Sequence, residues 1–535
     1  MMSIFIVIGS VALFVLGYIF YGRYVARRLG IDASRETPAH TLRDGIDYEP
    51  AKKPVLLGHH FASIAGAAPI IGPITAAVFG WVPVLLWIVF GGIFIGAVHD
   101  FGSLVASVRH RGRSIGEVIE DEIGHTGKTM FLIFSWLTLV LVVAVFAVVV
   151  AKSFVSVPQA ATASVLFLVV ALVWGGVRKK NIAVATVIGI IFMAGALVAG
   201  MYFPVVLGHN TWLILIFIYV FFASVAPVGL LLRPRDYLNA YLLYAALLLG
   251  FVGIIYSMPH IQMPAFTGFV APKLGPMFPI LFVTVACGAI SGFHSLVASG
   301  TVAKQLDKET DAKVIGFGAM LIESFLAVVA LIAAITMTHS EYIKILGEGG
   351  PVAVFSKGIG AFVGKTGIPE SGAVAFLALA VSAFALTSLD TATRIGRFMF
   401  QEFFSRRERK TLLGKNRYIA TVATVAGAAI LAFTGSYSAI WPIFGTANQL
   451  MAALALLTIS VWLINRGKRP LFTLIPMVLM MAITLTALVT IMYTNFARTH
   501  NWLLGIIGLL LFAVAVFLVI YAWGRIRKTT KKLSG

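Results

Sequence analysis

Apolar runs of roughly 18 to 25 residues recur along this chain from end to end, and a run of that length spans the hydrocarbon core of a bilayer as one helix. Fifteen such segments are legible: 4–22, 57–80, 82–108, 129–152, 161–177, 182–203, 212–231, 237–257, 278–303, 314–338, 372–396, 417–434, 439–463, 471–493 and 502–523. The chain between them leaves no room for a separate soluble domain. With 59% hydrophobic and 12% charged residues and a mean hydropathy of +0.96, the sequence predicts an all-α polytopic membrane protein. The first apolar run, 4–20, lacks a basic leader and a small-residue cleavage site and is followed by Arg23, Arg27 and Arg28, so it reads as a retained helix.

The formal charge of +20 would suggest nucleic acid on a soluble fold, but here it follows topology. With the N-terminus outside, 35 of the 41 Lys and Arg residues fall at or beyond inner helix ends; Lys152, Lys273, Lys344, Lys357, Lys365 and Arg498 are the others. Basic residues near helix ends resist translocation, so this bias predicts N-out, C-in and an odd number of spans. The one cysteine, Cys287, excludes an internal disulfide and any multi-cysteine metal or redox centre.

Two connections are long. Residues 23–56 form a polar inner linker behind the first helix; 339–371 are glycine-rich and read as an external lid loop. A shorter inner counterpart, "RSIGEVIEDEIGHTGK", covers 113–128. Within the spans, "GHHFASIAGAAPIIGP" (58–73) and "ACGAISGFHSLVASG" (286–300) place glycine, proline, serine and histidine where a helix should be regular. Either these are close-packing surfaces of small residues, or they are interrupted helices, tolerated at membrane depth only where protein or a cavity satisfies the freed backbone. Two such segments of opposite direction, with long loops on opposite faces after the second helix of each series, point to an inverted repeat with a central transport site.

In order along the chain, "GHHFASIAGAAPIIGP", "GRSIGEVIEDEIG", "RPRDYL", "ACGAISGFHSLVASGT", "SLDTATRIGRFMFQE" and "WPIFGTANQL" resemble the carbon starvation protein A family from about residue 20 to 465. The resemblance implies the fold of the amino acid, polyamine and organocation transporter superfamily: five helices plus five inverted, the first and sixth broken. It also implies peptide or pyruvate uptake in the bacterial inner (cytoplasmic) membrane. On this template 1–56 form a peripheral helix and linker. Residues 57–465 form the transport core, with an extra helix pair between 161 and 257, and 466–535 form two peripheral helices and a basic tail.

Candidate site residues follow from the breaks and from the resemblance. Ser63, Gly66, Ala67, Gly288, Ala289 and Ser291 are where backbone can approach a substrate, and half-helix N-termini favour a carboxylate there. His294 donates to a carboxylate substrate or changes protonation during transport, or else is satisfied by a neighbouring carbonyl. Asn448 and Gln449 either contact substrate or brace the broken helices. The resemblance implies a sodium site at Thr387 and Ser388 with backbone oxygens near Ala65, Ala68 and Phe384; the alternative is that both hydroxyls bond back to the preceding turn. Asp390 is a proton carrier or the ion-pair partner of Arg394 one turn on. Glu323 is an intramembrane acid suited to coupling or to fold specificity. His59 and His60 read as solvated at the inner mouth, His99 and Asp100 as structural packing, and Lys152 as snorkelling to the outer surface.

The expected function is a secondary active transporter importing pyruvate or short peptides with Na+ or H+, without other cofactors, nucleic acid or enzymatic activity, and with membrane lipid as its surroundings. Two other classes remain open at this level: a membrane enzyme using His59, His60, His99 and Asp100, though these lack ligand spacing, and a passive channel.

Overall fold

The computed structural model describes residues 2–45, 47–177, 182–226, 232–271, 274–406, 409–434 and 437–534. Lys273 and the basic residues of 178–180 and of the tail beyond 524 lie outside the described residues or side chains. Nearly all of the rest is helix, because a chain in lipid must satisfy its backbone polar groups internally. In chain order the helices are α1 (Met2–Leu29), α2 (Lys53–Ile64), α3 (Ala68–Phe79), α4 (Trp81–Arg109), α5 (Ile115–Glu122), α6 (His125–Ser156), α7 (Pro158–Val177), α8 (Ile182–Tyr202), α9 (His209–Val225), α10 (Leu232–Ser257), α11 (Met277–Val285), α12 (Phe293–Gly300), α13 (Glu309–Ile335), α14 (His339–Gly364), α15 (Glu370–Phe403), α16 (Arg417–Thr434), α17 (Tyr437–Asn465), α18 (Leu471–Arg498) and α19 (Trp502–Ser534). All fifteen apolar segments carry helix. Among the described residues eleven helices are long and apolar enough to cross a membrane, or twelve if the bent pair α2 and α3 is one span; Pro158–Val173, Thr186–Tyr202 and His209–Val225 are apolar but shorter.

Hydropathy does not say which helix sits inside, since lipid accepts apolar surface as readily as protein does. Polar residues do, because they need partners. Thus α13, α15 and α17, which carry Glu323, Asp390 and Asn448, bury 83% or more of their spans, whereas α1, α16 and α19 bury 33% or less. On α1 the buried Ser3 turns inward and donates to Pro259 O at 2.6 Å.

Contacts join the connections into two faces. On one, Lys53 pairs with Asp311 at 2.7 Å, Arg466 with Glu122 at 3.2 Å, and Arg109 with the buried Glu309. On the other, Gln262 N donates to Ile335 O at 2.9 Å and Thr267 Oγ1 to Val78 O at 2.7 Å. The connections on the first face are the basic ones, the pattern expected of an inner face.

The two interrupted segments are broken in the structure. Between α2 and α3 the chain bends by 46°, turning out of the helix at Ala65 (ψ +64°). The second leaves α11 at Ala286 (φ +41°, ψ −116°), makes a tight turn over Ala286–Gly288 and re-enters helix at Phe293. The two broken helices touch at Gly72: a Cβ there would stand 2.6 Å from Thr284 O and 2.5 Å from Val285 O, so only glycine permits the approach.

The segment expected as a lid loop is instead a helix. Thr338 caps α14 by accepting from Glu341 N at 3.3 Å, and the axis breaks only at Gly350 (φ +73°) before Pro351. The glycines read as loop formers serve close packing: a Cβ on Gly358 would meet Ala333 O at 2.6 Å, and one on Gly360 would meet Val374 at 2.6 Å. Tyr342 OH donates to Ile74 O at 2.7 Å, tying α14 to α3. Residues 115–122 of the inner counterpart likewise form α5, capped by Ser114.

Candidate functional site

The second break frees backbone groups that α17 satisfies. Asn448 Oδ1 accepts from Phe293 N at 3.0 Å and Ser291 Oγ at 3.3 Å, and its backbone carbonyl accepts from Gly292 N at 3.0 Å, so this side chain caps α12. Gln449 Nε2 donates to Phe282 O at 2.8 Å, a carbonyl also reached by Trp87 Nε1 at 3.2 Å. Of the two readings of Asn448 and Gln449, this geometry is the bracing one. Ala289 packs on α4, where a Cβ on Gly91 would stand 2.9 Å from Ala289 Cβ, and a Cβ on Gly288 would meet Ala327 of α13 at 2.8 Å.

His294 enters from the first turn of α12 and is wholly buried. Its Nδ1 lies 2.8 Å from Asp100 Oδ2, and its Nε2 lies 3.3 Å from Glu323 Oε2. Asp100 Oδ1 in turn meets His99 Nδ1 at 2.7 Å. Neither oxygen of Glu323 and not the Nε2 of His294 has a hydrogen-bond partner. Cys287 Sγ, His294 Nε2 and a Glu323 oxygen lie within 4.8 Å of one another, close enough for one small cation to touch all three. His60 is also fully buried, with both ring nitrogens unpartnered, so it is not the solvated residue expected at the inner mouth. Nor do His99 and Asp100 merely pack: Asp100 links two histidines across the core.

The first break faces α15. A Cβ on Gly66 would collide with Ser388 Oγ, so the Ser388 side chain lies directly on the exposed backbone of the break. Thr387 is engaged otherwise: its hydroxyl donates to Ala383 O at 2.9 Å and accepts from Asn239 Nδ2. Phe384 lies one turn before Ser388 and is buried. Ser63 Oγ donates back to His59 O at 2.8 Å. Ala65, Ala67 and Ala68 are buried within the break itself.

Asp390 does not pair with Arg394. Its Oδ2 accepts from Arg235 Nη1 and from Tyr219 OH at 2.7 Å, while Arg394 Nη2 donates to Ala223 O and Ala226 O, each at 2.7 Å. The reason is local: α9 ends there, its last carbonyls lack helical partners, and a guanidinium at a helix C-terminus satisfies both hydrogen bond and dipole. Sequence reading missed Arg235, Tyr219, Asn239 and the role of Asp100. Arg235 lay in the "RPRDYL" stretch already singled out, and the rule that an intramembrane charge needs an opposite one was the available signal.

Every residue expected at the site is buried, so the centre is closed to both faces in this structure. Two cavities, of about 690 and 800 Å³, are lined by other residues.

The family model described as carbon starvation protein CstA matches residues 2–348 and 343–487. This chain belongs to the CstA family. It is 34% identical over 560 residues to peptide transporter CstA of Campylobacter jejuni, covering 90% of this chain and 79% of the relative. Identity is also 34% over 533 residues to peptide transporter CstA of Bacillus subtilis, covering 89% and 88%. With pyruvate/proton symporter BtsT of Escherichia coli K12 it is 32% over 587 residues, covering 91% and 81%. Among solved structures, an Eremococcus coleocola manganese transporter aligns with a TM-score of 0.54 and 14% identity over 91% of this chain and 99% of that one; this likeness concerns the fold alone. The CstA-family chain is therefore a multi-pass membrane protein of bacterial type and a transporter, not an enzyme. The breaks described above belong to the part that the family model matches.

Proposed function

We propose that this protein is a secondary active transporter that imports a small carboxylate such as pyruvate, or short peptides, by proton-coupled symport with alternating access. The observation that carries the reading is His294, held in the second break between Asp100 and Glu323 with Nε2 and both Glu323 oxygens unpartnered. With all three ionised the set holds one uncompensated negative charge in the closed core, which is costly; one added proton makes it neutral. Closure of the centre thus favours the protonated set, and opening to water at either face lets the proton enter or leave. The groups facing His294 are Asp100 and His99 from α4, Glu323 from α13, Cys287 from the break and His60 from α2.

Sodium coupling fits the geometry less well, because the Thr387 hydroxyl already donates to Ala383 O and accepts from Asn239, leaving little of its oxygen for a cation. For the substrate, the start of α3 at Ala67 has no side-chain cap, whereas α12 is capped by Asn448. A carboxylate is therefore assigned to the first break, beside Gly66 and Ser388. The names of the relatives support peptide or pyruvate as cargo and, for one, a proton as the coupling ion. In the five-plus-five scheme we take α7 and α8 as the added pair, since α8 packs chiefly on α7.

The test is uptake of labelled pyruvate and of a labelled dipeptide into proteoliposomes, with proton and sodium gradients imposed separately. Accumulation under an inward proton gradient alone is the expected result, and accumulation under sodium alone overturns the coupling scheme. Gly66→Leu should abolish uptake while the protein stays in the membrane, because its side chain would fill the space of Ser388 Oγ.

A further inference from the structure

Far from the breaks, the cavity of about 800 Å³ opens where three helices end: the last turn of α9, the second half of α15 and the first turn of α16. Four cations line it, Arg394, Arg397, Lys415 and Arg417, and none of its lining residues is acidic. Among the described residues none of the four forms an ion pair. Among the described residues Arg394 makes hydrogen bonds only through Nη2, to Ala223 O and Ala226 O, and Arg397 only through Nη1, to Ser224 O at 2.6 Å, with its guanidinium over the Phe398 ring at 4.4 Å. The Nε atoms of both are buried without a partner, and Arg397 is only 6% exposed.

A guanidinium offers five donors and cannot shed its charge. Holding two of them half-satisfied beside two further cations is costly unless an anion joins them. The rim identifies the anion's attachment. Phe398, Leu412 and Tyr418 are 48%, 74% and 49% exposed at the same cavity, apolar surface at the end of membrane-spanning helices. A soluble phosphate has no use for that rim, whereas a phospholipid places its phosphate among the cations and its acyl chains along the aromatic and aliphatic side chains.

We infer that this cavity is a binding site for the headgroup of an anionic phospholipid at the basic, cytoplasmic face. The phosphate diester would accept from Arg397 and Arg394 and be held at its outer edge by Lys415 and Arg417, so the lipid links α9, α15 and α16. The inference is independent of the transport cycle proposed above, because none of these residues borders either break.

The experiment uses the full-length protein purified in detergent, titrated with short-chain phosphatidylglycerol, with phosphatidylcholine of the same chain length, and with inorganic phosphate, reading thermal unfolding and lipid adducts in native mass spectra. Phosphatidylglycerol should stabilise and form retained adducts; phosphatidylcholine and phosphate should not. The pair Lys415→Gln and Arg417→Gln, both exposed and safe for folding, should weaken the phosphatidylglycerol response by about tenfold. Arg397→Gln should remove it if that variant folds. Equal stabilisation by both lipids overturns the inference, as does a full response in the Lys415→Gln, Arg417→Gln protein. Reproduction of the effect by inorganic phosphate would make this a soluble-anion site and overturn the lipid assignment.

Discussion

Asp390 and Glu323 are both carboxylates buried completely in mid-helix, yet they are held in opposite ways. Asp390 Oδ2 takes a guanidinium and a phenol, from Arg235 and Tyr219. Glu323 has an imidazole at 3.3 Å and no hydrogen bond. Arginine keeps its proton under all ordinary conditions, so the Asp390 pair is a fixed charge pair that links α15 to α10. Imidazole exchanges its proton near neutrality, so in the proposed scheme the Glu323 set can change charge while the Asp390 pair cannot. Burial alone therefore does not distinguish the two acids; the chemistry of their partners does.

That contrast can be broken by mutation. Asp390→Asn should have the largest effect, because it leaves the buried Arg235 with only the longer carboxylate contact, to Asp236 Oδ1 at 3.4 Å. A loss on the order of 3–5 kcal/mol is expected, seen as aggregation or a lowered unfolding temperature in detergent, with much of it recovered when Arg235 is made apolar as well. Wild-type melting of Asp390→Asn would dissolve the distinction. Glu323→Gln should do the reverse: unfolding stays near wild type, proton-driven accumulation drops by about tenfold or more, and exchange of substrate between equilibrated compartments persists. If accumulation is retained, Glu323 is not the coupling acid. Asn448→Ala removes the cap of α12 and should cost about 1–2 kcal/mol, read by thermal unfolding, with no change in ion preference. The smallest effect is expected for Thr387→Val, whose uptake should respond to added sodium no more than wild type does; a sodium requirement lost in this variant would restore the hydroxyl-pair site.

The location of both breaks was legible in the residues, since two small-residue segments of opposite direction recur at membrane depth. The structure adds why they coincide: Gly72 lets α3 touch the carbonyls of α11. The segment 339–364 reads as a loop but is a helix, because glycine in a membrane protein signals close packing as often as a loop, and only the neighbours of Gly358 and Gly360 distinguish the two. Asp390 shows the same difficulty for charges. Arg394 stands four residues away and invites a local pair, but α9 ends against it and claims its donors, leaving the partner 155 residues distant in sequence.

What the sequence by itself determined is the class of molecule: repeated apolar runs demand membrane helices, the charge bias sorts their connections into two faces, and the motif order identifies the family. These depend on each segment's own exchange between water and lipid, which is a local quantity. The pairing of His294 with Asp100 across 194 residues, of Gly66 with Ser388, and of Arg235 with Asp390 was decided only by the tertiary structure. Inside lipid a polar group takes whichever partner the packing brings within about 3 Å, and periodicity along one helix carries no information about the helix it will face.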